Sequence, residues 1–91
     1  MSWFVYILEC VDGSFYTGIA KDVEARMQAH KDGSGSKYVA SHGFKRLLYV
    51  LESPSRSEAS KVEYAVKQLA KFEKLVFFRE HESLVFSVFE P

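Results

Sequence analysis

The sequence contains one cysteine, no asparagine and no net charge, its twelve basic and twelve acidic side chains cancelling over 91 residues. A single cysteine excludes an intrachain disulfide and any four-cysteine metal site. Nothing beside Cys10 would activate a thiolate, so its expected role is that of a small buried hydrophobe at a strand end. Long apolar runs are missing as well. The first run has no basic residue ahead of it and is interrupted at Glu9 and Asp12. None comes near the roughly 20 residues of a membrane-spanning helix. A soluble cytoplasmic protein without a secretory signal is the expectation. Zero net charge also weighs mildly against avid binding to a polyanion.

Apolar material, by contrast, is plentiful: 47% of residues are hydrophobic and 15% aromatic. That supplies one compact core, and a chain of this length is expected to form one domain, 1–91, of modest stability. Charge is distributed unevenly. Residues 1–20 carry only Glu9 and Asp12, residues 21–79 hold all twelve basic residues against seven acidic ones, and the stretch from Glu80 adds three acids and no base. The middle of the chain is therefore its basic part, read either as solvated helix surface or as a region that meets phosphates.

Residues 3–9 are β-branched and aromatic and predict a strand, Asp12-Gly13 predicts a turn, and residues 14–19 predict a second strand, together an antiparallel hairpin. Asp22 has the character of a helix N-cap, and the helix it starts runs to about Lys31. Asp32 to Ser36 reads as a plain loop without phosphate-loop spacing, with Lys37 and Tyr38 at its far end. Residues 47–52 are almost continuously apolar, which predicts a third strand in the centre of the sheet. Ser55 and Glu58 have capping-box spacing and open a longer helix to about Lys71, followed by a short helix from about Glu73 to Arg79. Residues 84–89 predict an edge strand or a cover for the core. The expected fold is α/β (α+β): a three-stranded antiparallel sheet flanked by helices, in the order β-β-α-β-α-α.

Several residues could carry chemistry. On a helix turning about 100° per residue, Ala59, Val62, Val66, Leu69 and Ala70 form an apolar arc, with Glu63 just inside its edge. A carboxylate there is costly unless it is paired or binds a cation; the alternative is a rim glutamate that meets solvent or a nearby lysine. Arg26 and His30, four residues apart, share a helix face. An arginine fork suits phosphate oxygens and a histidine can donate or move a proton, although such a pair is also common on an ordinary basic surface. Tyr6 and Tyr16 lie in the hairpin, where packing is the usual role of tyrosine. Gly18, inside a strand, marks a bulge or a close approach. His42 and His81 are expected at the surface.

Taken in order, these residues resemble the GIY-YIG nuclease superfamily. Val5-Tyr6-Ile7 resembles the first half of its motif and Tyr16-Thr17-Gly18 the second. Arg26 follows on the next helix, His30 one turn later, and Glu63 on the long helix after the third strand. Asp12 to Gly18, Lys37-Tyr38, Pro54 to Ala59 and Glu73-Lys74-Leu75 further resemble a bacterial subfamily of small stand-alone members. The resemblance covers about residues 3–79, leaving 80–91 as a tail.

The resemblance implies hydrolysis of DNA phosphodiester bonds with one Mg²⁺ or Mn²⁺ ion, in DNA repair or recombination. It makes Tyr16 the general base, Tyr6 the residue that orients Tyr16 or the water, and Arg26 the ligand of the phosphoryl oxygens. His30 would orient a phosphate oxygen or a tyrosine, Glu63 would hold the metal, and Lys37 would contact the nucleic-acid backbone. A phenol ionises at about pH 10, so a tyrosine base needs positive charge nearby, from Arg26 and the cation. Many members use a late asparagine, which this chain lacks. Two other functions therefore stand beside the nuclease: a nucleic-acid-binding module that cleaves poorly, and a protein-interaction domain presenting Phe77, Phe78, Phe86 and Phe89. A separate protein partner for targeting is compatible with each of them.

Overall fold

The computed structural model describes residues 2–81. Strand β1 (Trp3–Cys10) pairs antiparallel with β2 (Phe15–Ala20) through the Asp12-Gly13 turn, as the hairpin signals predict. Helix α1 (Val23–Lys31) follows, then a short helix α2 (Lys37–His42), strand β3 (Phe44–Ser53), α3 (Arg56–Lys67) and α4 (Lys71–Glu80). The sheet is antiparallel with the order β2-β1-β3. This is the expected fold, with α2 added between α1 and β3.

Three expectations need correction. The first concerns the centre of the sheet, which is β1 and not β3. The apolar run in β3 arises because both faces of this edge strand are covered: Leu47 and Val50 join one core cluster, Leu48, Tyr49 and Leu51 the other. The second is the loop at Lys37-Tyr38, which is the start of α2. Ser36 caps it, its hydroxyl accepting the Val39 N–H at 3.0 Å, so a polar loop residue ends the loop by starting a helix. The third is the length of α3, which stops at Lys67. Its arc is buried at Ala59 and Val66 and half-buried at Val62 and Leu69, but Ala70 is exposed at the start of α4.

The predicted caps form. The Asp22 carboxylate accepts the Ala25 N–H at 3.0 Å, and the Ser55 hydroxyl accepts the Glu58 N–H at 3.2 Å. Glu58 does not complete a capping box; it pairs with Lys61 at 3.5 Å instead. Strand alternation then sorts the core. Tyr6, Leu8, Cys10 and Ala20 face α1 and α2 with Met27 and Val39, whereas Val5 and Ile7 face α3 and α4 with Ala59, Val66 and Phe78. Cys10 is fully buried at the end of β1, as expected, and burial raises its thiol pKa.

Helix α4 closes the second face. Phe78, expected to be exposed, is fully buried and stacks on Tyr49 at 6.1 Å between centroids; Phe77 is half-buried. Phe78 is thereby withdrawn from any interaction surface, while Phe77 stays partly exposed beside Phe72 and Val76. Phe86 and Phe89, with the predicted last strand, lie outside the described residues. No helix among those residues is long and apolar enough to cross a membrane. Because Phe78 is the largest residue α4 buries, Phe78→Ala should lower stability by about 3–5 kcal/mol in chemical denaturation. A loss below about 1 kcal/mol would mean that α4 is not docked.

Candidate active site

The register of the hairpin sets Tyr6 opposite Gly18 and Leu8 opposite Tyr16. Tyr6 and Tyr16 therefore point to the same face of the sheet, two residues apart along the pairing. The Tyr6 side chain is fully buried and crosses over Gly18 so closely that a Cβ there would lie 2.5 Å from the phenol oxygen. Glycine in this strand thus marks a close approach, and the group approaching is the first motif tyrosine.

His30, in the last turn of α1, comes down on the same spot. Its Nε2 and the Tyr6 phenol oxygen form a buried hydrogen bond at 2.9 Å. The imidazole is almost fully buried, and a Cβ on Gly35 would lie 2.5 Å from its Nδ1. Gly35 therefore acts as a second cradle, inside a segment that reads in sequence as a plain loop. Nδ1 itself has no hydrogen-bond partner among the described residues. Tyr16 completes the cluster: its ring centroid is 6.4 Å from that of Tyr6 and 5.6 Å, edge-on, from that of His30.

The electrostatics divide the cluster into an inside and an outside. Burial pushes the Tyr6 phenol well above its ordinary pKa, with Tyr16 adding to the rise and Glu63 adding least. The Arg26 guanidinium opposes it, by its charge and by hydrogen bonding. Burial, then the charge of Arg26, pushes His30 down to about 4. Both partners of the Tyr6–His30 bond are therefore neutral at neutral pH. Tyr16 is only half-buried and Arg26 is exposed, one turn ahead of His30 on α1.

Glu63 reaches this neighbourhood from the other side. Helix α3 packs on the opposite face of the sheet, against β2 and β1. From there its charge is the smallest of the effects on the Tyr6 phenol. The Glu63 side chain is 23% exposed and pairs with Lys67 at 3.2 Å, so the lysine-paired reading of this carboxylate holds in part. No group of three or more histidine, cysteine, aspartate or glutamate side chains gathers among the described residues. A lone half-buried carboxylate is a poor zinc site but fits a hard cation that keeps most of its waters, as Mg²⁺ does.

The structure thus brings Tyr6, Tyr16, Arg26 and His30 together, with Glu63 at the margin. No hydrogen bond or ion pair among the described residues ties Lys37 to them; its side chain is exposed at the start of α2. The residue beside it, Tyr38, enters the sequence reading only at the end of a loop and in the subfamily resemblance, with no role at the site. It stacks on Tyr16 at 5.8 Å. His42 and His81 are surface residues as expected, His42 bonded to Asp12 and His81 stacked on Phe77.

The depressed His30 pKa has a consequence for stability. An unfolded imidazole binds its proton near pH 6.5, the folded one only near 4. Between those values the unfolded state holds more protons, so stability is full above pH 6.5 and falls as pH drops toward 4. The two limits differ by on the order of 3 kcal/mol at about 1.4 kcal/mol per unit. Denaturation midpoints from pH 7 to 4.5 should show this slope in the wild type and a flatter one in His30→Gln; equal slopes would contradict the assignment. Asp12, whose carboxyl is held low by hydrogen bonds from Ser14 and His42, loses its contribution below that window.

Comparison with known proteins identifies the family. A sequence model of the GIY-YIG catalytic domain matches residues 2–76. A UPF0213 protein of Oceanobacillus iheyensis is 46% identical over 81 residues, covering 87% of this chain and 94% of that one. A UPF0213 protein of Cupriavidus pinatubonensis is 44% identical over 75 residues, covering 82% and 83%. The solution NMR structure of a UPF0213 protein from Bacillus halodurans superposes with a TM-score of 0.53 at 44% identity, over 85% of this chain and 82% of that one. With the catalytic-domain match spanning most of its length, the protein belongs to the GIY-YIG nuclease superfamily.

Proposed function

We propose that the protein is an endonuclease that hydrolyses DNA phosphodiester bonds with one divalent cation. The observation that carries this reading is the split between a buried neutral pair, Tyr6–His30, and a more accessible Tyr16 and Arg26 beside it. The pair is buried, and burial disfavours the charged form of each ring. Tyr16 is therefore the phenol available to take a proton from an attacking water, with Tyr6 and His30 forming the wall it leans on. Arg26 binds the phosphoryl oxygens as negative charge develops on them. Its charge also opposes the rise in the Tyr6 pKa, which is what a guanidinium directed at this cluster would do. His30 acts on a tyrosine in this scheme, and not on a phosphate.

Glu63 would hold the ion, Mg²⁺ or Mn²⁺, with Lys67 released from its pairing. Once bound, the ion supplies charge neutralisation at the phosphate and the leaving oxygen. Lys37, solvent-exposed on α2, is left as a contact to a more distant backbone phosphate. The basic middle of the chain suits a polyanionic partner, and a role in repair or recombination goes with DNA as substrate. A cytoplasmic setting goes with that role.

The test is cleavage of branched, nicked, single-stranded and duplex DNA, with Mg²⁺, with Mn²⁺ and with chelator. Wild type should cut at least one substrate only when metal is present. Tyr16→Phe should lose roughly 100-fold or more of the rate while binding DNA as before, and Arg26→Ala should weaken both. Glu63→Gln should abolish metal-dependent cutting. Its metal-free stability should change by less than about 1 kcal/mol, because an i,i+4 pair with Lys67 at the surface contributes little. Full activity in a folded Tyr16→Phe variant would remove the general base. Salt-dependent DNA binding without cleavage by wild type would instead identify a binding module.

A further inference from the structure

We infer that Tyr38 is a positioning residue for Tyr16, braced from outside by His42 and Asp12; this rests on the reading of Tyr16 as the general base. The chain of contacts is continuous. The Tyr16 ring has His30 edge-on at 5.6 Å and Tyr38 stacked against it at 5.8 Å, the two planes inclined by 26°. Tyr38 stacks in turn on His42, with centroids 4.0 Å apart and planes inclined by 22°. His42 Nδ1 is hydrogen-bonded to the Asp12 carboxylate. Asp12 lies in the β1–β2 turn, where it also accepts hydrogen bonds from the backbone and side chain of Ser14. The column therefore runs from the hairpin turn, through both ends of α2, to the ring of Tyr16 on β2.

Each link has a reason to stay in place. Ser36 caps the start of α2, Val39 is fully buried beneath it, and the Gly43 N–H closes its end on the Val39 carbonyl at 2.7 Å. A helix of six residues has little stability of its own, so its side-chain contacts decide where it lies. For such a short element to leave Tyr38 41% exposed and still engage two rings is wasteful if the residue only packs. A half-buried Tyr16 has the opposite need. It must keep its hydroxyl accessible while its ring is held, and ring walls at an edge and a face restrict it without covering the oxygen. Misplacing a reacting group by about 1 Å can cost on the order of 100-fold in rate.

A positioning role differs in its signature from substrate contact and from simple packing. Tyr38→Leu should lower kcat on the DNA that wild type cuts fastest with Mn²⁺ by on the order of 10-fold, with KM within about twofold. Tyr38→Phe, which keeps the stacking ring, should restore kcat to within about twofold. In the free protein with ¹³C-labelled tyrosine, Tyr38→Leu should shift and broaden the Tyr16 ring resonances, whereas those of Tyr6, tied to His30, stay in place. A raised KM with unchanged kcat would mean that Tyr38 touches substrate and would overturn the proposal. Unshifted Tyr16 resonances in Tyr38→Leu would overturn it too. If wild type cuts nothing, the nuclease reading fails, and the ring resonances decide separately whether Tyr38 holds Tyr16.

Discussion

The hydrogen bond between Tyr6 and His30, laid across Gly18, is the constraint on which the rest of the site depends. It joins the central strand to the end of α1 at one buried point. Two glycines make room for it, Gly18 under the phenol and Gly35 beside the imidazole. A buried polar group is tolerated where it is satisfied, and the phenol oxygen and Nε2 satisfy each other, although Nδ1 has no partner among the described residues. Burial then drives both pKa values away from neutrality, the phenol upward and the imidazole downward. The pair is neutral because it is buried, and it can be buried because it is neutral.

From that point outward the groups become progressively more exposed. Tyr16 rests its ring against Tyr6 and His30 yet remains half-open; Arg26, one turn from His30, lies in solvent and acts on the pair by charge. Glu63 acts on Tyr6 by charge from a helix on the other face. A catalytic reading needs this gradient, with a rigid interior that fixes geometry and an exterior that exchanges protons and binds anions. The same gradient explains why two family tyrosines, similar in sequence, are assigned different work.

Much of this was legible in the sequence, and the reason is local. The hairpin follows from alternating β-formers around Asp12-Gly13, and the helix starts follow from Asp22 and Ser55, whose side chains cap within three residues. The spacing of Tyr6, Tyr16, Arg26, His30 and Glu63 needed only the family resemblance to be read as a site. What escaped depends on contacts distant in sequence. An apolar β3 signals two covered faces and not a central place, because a helix can cover an edge strand as well as a middle one. Phe78 looked like part of an exposed tail because its burial depends on Tyr49, far along the chain. Gly35 and Tyr38 lie in a segment whose composition says loop; only the fold reveals that one makes room for His30 and the other leans on Tyr16. The signal that was available, Ser36 three residues before a buried Val39, is a cap as ordinary as that at Asp22.

The most direct test of the central claim is the His30 imidazole pKa, measured by NMR titration in Gly18→Ala beside wild type. If Gly18 is the gap that lets Tyr6 lie against His30, wild type should titrate near 4. The added methyl, meeting the phenol oxygen, should push Tyr6 away, open the imidazole to water and return its pKa toward about 6.5. A folded Gly18→Ala protein whose His30 still titrates near 4 would contradict the account, since the pair would then be held by something other than the close approach at Gly18.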